Sequence, residues 1–131
     1  MKREAIRVLI IDGQGGGMGR GLVEAVKKRW PALHLRAVGT NSMATAAMLR
    51  AGADEGATGE NAVIFNAKWA HVMMGPIGVL TPNGLLGEVS AAWRRQWAAA
   101  RPSRSCCLPI GAAFVLRWEN RSRFRCIWMR R

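Results

Sequence analysis

The sequence predicts an α/β fold with a parallel sheet and helices on both of its faces. Short apolar runs that fit buried strands alternate with stretches of helical periodicity. Such alternation implies parallel strands joined by right-handed crossovers. The first apolar run leads directly into a glycine-rich loop that opens a helix. With 131 residues the chain is long enough for one domain with a sizeable core.

The predicted elements follow one another closely along the first part of the chain. Arg7–Asp12 is a nearly continuous apolar run, as expected for a strand buried on both faces. The helix after the glycine loop is stopped by Pro31, and Leu33–Val38 is the second predicted strand. Four further elements are predicted: a helix capped by Asn41 or Ser42, a short strand within 52–58, a helix over about 60–70, and a strand at 71–74.

The glycine loop, residues 12–19, is the strongest functional motif. Gly13, Gly17 and Gly19 give a G-x-x-x-G-x-G spacing between a strand and a helix. Glycine permits a positive φ and lets a phosphate approach without a Cβ in the way. The free N–H groups of the first helical turn then face the anion. This context predicts a nucleotide-phosphate site in a Rossmann-like domain, and the alternative is a tight turn without a ligand.

The predicted site combines the loop with the ends of two later strands. Arg20 could add a charge-assisted contact, and residues 40–42 would face a ribose or cap a helix. Asp12 would fix the turn, or bind a ribose or magnesium ion. Residues 75–77 border the crevice in which open α/β sheets bind ligands. The predicted cofactor-binding residues are Asp12, Gly13, Gln14, Gly15, Gly16, Gly17, Met18, Gly19, Arg20, Thr40, Asn41, Ser42, Gly75, Pro76 and Ile77.

The predicted cofactor is NADP or NAD. NAD enzymes of this plan usually have an acid after strand two, and Gly39–Ser42 contains none. We therefore expect NADP to bind at least as well as NAD. The loop spacing resembles that of short-chain dehydrogenases, but the chain has no tyrosine for their Tyr-x-x-x-Lys pair. Catalytic residues stay unassigned, whether the protein is an enzyme stays open, and a non-catalytic regulatory module is the alternative.

Several longer motifs resemble domain of unknown function 3842, a family of small bacterial proteins. The motifs are Ile11–Gly19, Gly39–Thr45, Ala51–Ala62, Gly75–Gly78 and Leu86–Val89. The resemblance covers about residues 6–90 and implies a short Rossmann-like protein, without a known reaction. The family's Ala-Asn-Ser-Met before Leu-Gly-Glu is Pro-Asn-Gly-Leu here, so only Asn83 matches.

The tail, residues 92–131, differs sharply in composition from the rest of the chain. Residues 89–131 carry ten arginines, one acid and no lysine, whereas residues 1–88 have a net charge of +3. We interpret the tail as translation in a shifted frame, because one shift explains its arginines, tryptophans and cysteines together. Tryptophan has only the codon TGG, so the underlying bases can be partly recovered. Moved back by one base, Trp93–Trp97 can read Met-Ala-Ala-Ala-Val-Gly, and Cys106–Gly111 can read Leu-Leu-Pro-Ala-Asn-Arg. A nucleotide-binding domain at 1–91 would thus precede an aberrant tail, with the C-terminal part of the sheet missing or aberrant.

Charge and hydropathy limit the partners. A net charge of +12 normally indicates nucleic acid, and binding through the basic, tryptophan-rich tail is a second alternative function. The shifted frame would explain that charge without nucleic acid, so the expected partner is a small-molecule nucleotide. A homo-oligomer is left open. No apolar stretch reaches the roughly 18–20 residues of a membrane span, and the cysteines lack metal or disulfide spacing, so we expect a cytoplasmic protein.

The shifted-frame interpretation predicts different solubility for two versions of the chain. The crowded arginines of the tail are costly to bury without acidic partners. We expect the present chain to aggregate and the frame-corrected chain to stay soluble, as measured by size-exclusion chromatography of both proteins. A present chain that is a well-behaved monomer with slow amide exchange through residues 106–128 would refute the interpretation.

Overall fold

The computed structural model describes residues 5–93, 106–110 and 113–117. One sheet holds six strands in the order β3-β2-β1-β4-β6-β5. The strands are β1 (Val8–Asp12), β2 (Leu35–Gly39), β3 (Glu55–Thr58), β4 (Val72–Pro76), β5 (Cys106–Ile110) and β6 (Ala113–Arg117). The helices are α1 (Gly17–Arg29), α2 (Ser42–Arg50) and α3 (Glu60–Trp69), with a 3-10 helix at Ile77–Leu80. Residues 91–93 are also helical.

The first four strands form a parallel sheet around β1. Val8 pairs with Leu35 of β2 on one side and with Val72 of β4 on the other. All five residues of β1 are buried, as its continuous apolar run predicts for a central strand. A helix follows each of the first three strands. The predicted α/β, Rossmann-like fold class is therefore confirmed for this part of the sheet.

Alternate residues of β1 point into two separate cores. Val8 and Ile10 belong to a cluster that includes Val23 of α1 and Met48 of α2. Leu9 and Ile11 belong to the other cluster, which contains Val63 and Ala67 of α3 together with Val79, Val89 and Trp93. Because successive strand residues point to opposite faces, helices cover both faces of the sheet, as predicted.

The sequence predicted most element boundaries to within about two residues. The sequence left open whether Asn41 or Ser42 caps α2, and the structure decides between them. The side chain of Asn41 accepts a hydrogen bond from the amide of Ala44 at 2.9 Å, so Asn41 caps α2. Ser42 is the exposed first residue of that helix. The short third strand is present as β3, at one edge of the sheet.

The C-terminal part of the sheet, expected to be missing or aberrant, is present as an antiparallel pair. β6 pairs antiparallel with β4, and β5 pairs antiparallel with β6, so β4 is not an edge strand. The apolar runs Cys106–Pro109 and Ala112–Leu116 lack polar alternation, which we interpret as a further sign of the shifted frame, and strands β5 and β6 overlap these runs. The excess of arginine over acidic residues in residues 89–131, which also indicates the shifted frame, does not depend on this strand pairing.

Trp93 lies one residue into the tail and nevertheless packs in the core. It is 1% exposed and belongs to the cluster with Leu9 and Val63. The amide of Trp93 donates to the Ser90 hydroxyl at 3.1 Å, so Ser90 caps the helical residues 91–93. Among the described residues, the indole Nε1 has no hydrogen-bond partner. The core therefore extends past the predicted boundary at residue 91, with one unsatisfied donor.

Helix α1 packs on β1 so closely that Gly19 is needed. A Cβ at Gly19 would lie 2.6 Å from Met48 Sδ and 2.7 Å from Asp12 Cβ. We expect Gly19→Ala to lower the free energy of unfolding by roughly 1–3 kcal/mol through overpacking. Gly21 in the same helix has open space around it, so Gly21→Ala should raise stability by roughly 0.5–1 kcal/mol. Urea denaturation measures both; equal effects would contradict the close packing at Gly19.

Candidate functional site

The predicted site residues gather where the carboxyl ends of β1, β2 and β4 meet. After β1 the chain turns toward β2 on one side, whereas β4 lies on the other side of β1. This reversal is the topological switch point at which open α/β sheets form a ligand crevice. The glycine loop follows β1, Thr40 and Asn41 follow β2, and Ile77 follows β4.

The carboxylate of Asp12 holds the two ends of the glycine loop together. One oxygen accepts from the amide of Gly13 at 2.7 Å, and the other accepts from the amide of Gly19 at 2.6 Å. The side chain is buried, and burial raises the pKa of this carboxyl, while the two amide bonds act in the opposite direction. Of the roles considered for Asp12, the structure shows it fixing the turn.

Three of the five loop glycines are required by the fold itself. Gly16 caps α1 with a left-handed φ of 74°, and a Cβ there would lie 2.8 Å from Ala44 Cα. Gly13 is crowded by Leu85, and Gly19 by Met48 and Asp12. These glycines permit close packing of the loop against its neighbours, whether or not a ligand binds.

Gly15 and Gly17 are different, because no atom of the described residues lies within 4 Å of a Cβ added at either position. Neither has a positive φ; in this loop the left-handed residues are Gln14 and Gly16. Gly17 therefore does not need glycine for its backbone conformation. The protein's own structure gives no reason for glycine at these two positions.

The backbone amides of the loop divide into bound and free groups. Besides the two amides that Asp12 accepts, the amide of Gly16 donates to the carbonyl of Gly13 at 2.9 Å. The amide of Gln14 donates to the carboxylate of Glu88. Among the described residues, no protein group accepts from the amides of Gly15, Gly17 and Met18. Free donors thus remain at the start of α1.

Glu88 brings a second carboxylate to the loop, and sequence reasoning did not assign it to the site. Its two oxygens accept from the amide of Gln14 at 3.1 and 2.9 Å. Its Oε2 also accepts from the hydroxyl of Thr40 and from Asn41 Nδ2, the latter at 3.1 Å. The hydrogen bond from Thr40, followed by that from Gln14, lowers the pKa of Glu88. The Leu86–Val89 motif quoted for the family was the signal that could have identified it.

Glu88 reaches the loop from the 81–90 segment, which folds back over the crevice. Asn83 donates its amide to Val89 at 2.8 Å, and the amide of Ser90 donates to Glu60 at 3.2 Å. Four residues of this segment have a left-handed φ, three of which are not glycine: Asn83, Leu85, Leu86 and Gly87. Non-glycine residues in this region cost free energy, so the surrounding contacts must hold the segment in place.

Several other predicted residues contribute less to the site. Arg20 is exposed and pairs with Glu24 at 3.0 Å, so it is engaged along α1. Ser42 makes no capping bond, since Asn41 is the cap. Gly75 and Pro76 are buried within β4, and Ile77 is 40% exposed beyond the strand.

A groove of about 310 Å³ lies elsewhere, beside β2, β3 and α3. Its lining contains none of the predicted site residues. Arg36 there pairs with Glu55 at 2.5 Å, donates to Asn66 at 3.1 Å and stacks on Trp69. These polar groups satisfy one another, so the groove indicates no particular ligand.

The described ranges lack two kinds of feature. No group of three His, Cys, Asp or Glu side chains in these ranges is arranged to hold a metal ion. None of the helices in these ranges combines the length and apolar character that crossing a membrane requires.

The contacts of Glu88 predict a pH-dependent contribution to stability. Its folded pKa lies below the ordinary value of 4.5, so this contribution is present above that pH and is lost as the pH falls through the folded value. We expect Glu88→Gln to cost roughly 1 kcal/mol at pH 7, and the difference from the parent to shrink below about pH 4.5. Urea denaturation of both proteins from pH 7 to 3 measures it; a constant difference would contradict the assignment.

Comparisons with known proteins agree with the motif analysis. The chain matches the family described as domain of unknown function (DUF3842) over residues 7–114. This match continues beyond residue 90, where the resemblance seen in the sequence ended, and includes β5. Neither the search of curated proteins nor that of solved structures found a match. The chain therefore belongs to the DUF3842 family.

Proposed function

We propose that the protein binds a nucleotide, either alone or as half of a dinucleotide such as NAD or NADP. One observation carries the proposal: in the part of the chain that the structure describes, the amides of Gly15, Gly17 and Met18 have no acceptor at the start of α1, and packing does not require glycine at two of these positions. Backbone amides at a helix start bind phosphate well, because the helix dipole also favours an anion there. The first turn of α1 contains no acidic residue to oppose this.

The ligand-free alternative explains only part of the loop. Packing and backbone conformation account for Gly13, Gly16 and Gly19. They do not account for Gly15 and Gly17, whose surroundings would admit a methyl group. A phosphate that approaches the backbone accounts for both of them, and for the three free amides at the same place.

Apolar side chains around the crevice support a ligand with a base as well as a phosphate. Met18 in the first turn of α1, Met43 in the first turn of α2, Ile77 and Leu86 are all exposed. Leu86 is 96% exposed. Methionine adapts its shape readily and contacts aromatic rings favourably, so this rim suits a nucleobase.

The polar groups at the site favour binding without chemistry as the second candidate. The carboxylate of Asp12 is bound by two loop amides, and that of Glu88 accepts from the other side of the crevice. Neither carboxylate has a histidine or lysine partner in the described contacts at this site. A regulatory or sensor role therefore stands beside an enzymatic one, and a turnover screen with nicotinamide cofactors separates them.

A cytoplasmic location belongs to the proposal, since the three cysteines show no disulfide spacing. Homo-oligomer formation stays a prediction without a test. Nucleic-acid binding through residues 92–131 stays the second alternative. Deleting these residues and titrating DNA at several salt concentrations tests it, because phosphate contacts make affinity depend steeply on salt.

Substituting Gly17 tests the phosphate site. We expect Gly17→Val to abolish the binding of ADP, because its side chain would fill the space in front of the free amides. The fold should persist, since that space is open. ADP at about 100 times its dissociation constant should stabilise the parent by roughly 2.7 kcal/mol and leave Gly17→Val unchanged. Thermal unfolding with and without ADP provides the measurement.

Gly21→Val serves as the matched control. Gly21 is exposed in the same helix and has equally open surroundings, but it lies one turn further from the loop. The control should keep the full stabilisation by ADP. Equal stabilisation of the parent and Gly17→Val would remove the loop from the site.

A further inference from the structure

A carboxylate stands beside the residues that follow β2, although that stretch of sequence contains none. The Oε2 atom of Glu88 is hydrogen-bonded to Thr40 and Asn41, the first residues after β2. In Rossmann-like domains an acid near the end of strand two binds the ribose hydroxyls of NAD. Here the acid arrives from the 81–90 segment, on the far side of the crevice.

We infer that Glu88 is the specificity-determining residue for the sugar, and that the ligand is a nucleotide whose ribose has free 2′ and 3′ hydroxyls. This inference rests on the proposed nucleotide-binding function. The Glu88 carboxylate would accept hydrogen bonds from the hydroxyls, while the free amides at the start of α1 hold the phosphate. The Glu88 carboxylate contacts the glycine loop at Gln14, and the free amides are those of Gly15, Gly17 and Met18.

The hydrogen-bond capacity of Glu88 leaves room for a ligand hydroxyl. Its Oε2 atom already accepts from Gln14, Thr40 and Asn41. Its Oε1 atom accepts only a long bond of 3.1 Å from Gln14 among the described residues. A carboxylate offers about four lone-pair positions, so Oε1 can accept a further hydrogen bond. The bonds from Thr40 and Asn41 keep the carboxylate in place before the sugar arrives.

The same carboxylate disfavours a phosphate on the 2′ position. Its lowered pKa keeps Glu88 ionised at neutral pH. The negative charges of the Glu88 carboxylate and of a 2′-phosphate repel each other. No cationic side chain contacts Glu88 in the described residues to offset this repulsion. The sequence alone predicts that NADP binds at least as well as NAD, because Gly39–Ser42 contains no acid. Because Glu88 occupies that place from elsewhere in the chain, the preference is expected to reverse.

The test compares ADP with its 2′-phosphorylated form by calorimetry. ADP is the half that NAD and simpler nucleotides share, so it probes both sites at once. We expect the parent protein to bind ADP at least tenfold more tightly than 2′-phospho-ADP, which is about 1.4 kcal/mol. Glu88→Gln should reduce this preference to threefold or less. Glu55→Gln, which removes the same charge at the start of β3, should retain it.

Each outcome separates the inference from the proposed function. If the parent binds both ligands equally, or 2′-phospho-ADP more tightly, the inference is overturned while nucleotide binding stands. A tenfold preference that survives in Glu88→Gln also overturns it. If neither ligand binds the parent, both the proposed function and the inference fail. The parent's preference is measured without any substitution, so a poorly folded variant does not prevent the test.

Discussion

The shape of the candidate site depends on one buried carboxylate. Asp12 ends the central strand and accepts from the amides of both Gly13 and Gly19, so it closes the loop into a ring between β1 and α1. Burying an ionised carboxylate is costly unless hydrogen bonds compensate, and the two short bonds offset part of that cost here. Because Asp12 takes the Gly19 amide, the free donors at the start of α1 are those of Gly17 and Met18. The direction in which the loop offers its amides therefore follows from Asp12.

The two carboxylates at the site have opposite environments. Asp12 is buried beneath the loop, and burial raises its pKa; Glu88 lies above the loop, and hydrogen bonds from Thr40 and Gln14 lower its pKa. Among the described contacts, Glu88 Oε1 accepts only from the amide of Gln14. One acid thus shapes the loop, and the other is available to a ligand. The close packing of Leu85 against Gly13 keeps the 81–90 segment in register with the loop.

The fold was largely predictable, because strands, helices and caps are encoded by neighbouring residues. The apolar run of β1, the stop at Pro31 and the capping residue near 41 are local signals. Glu88 could not be placed in the same way, since its contacts join residues 47 to 74 positions apart. The expectation that NADP binds at least as well as NAD considered only an acid that follows β2 in sequence, and it stays a prediction. The sequence analysis did not predict the pairing of β6 with β4, because it attributed the apolar run of β6 to a shifted reading frame.

Trp93 is the point at which the tail's sequence conflicts with its surroundings. The side chain is the largest of the fully buried residues, yet its Nε1 donor has no partner among the described residues. A buried donor without an acceptor costs about 1–3 kcal/mol, a large share of a domain's stability of about 5–15 kcal/mol. In the shifted frame this position reads methionine, which fills an irregular apolar space and has no donor. A strand at 106–110 is compatible with both frames, because both readings begin with apolar residues there. The pairing of β5 therefore does not distinguish the two frames, and the shifted frame stays a hypothesis.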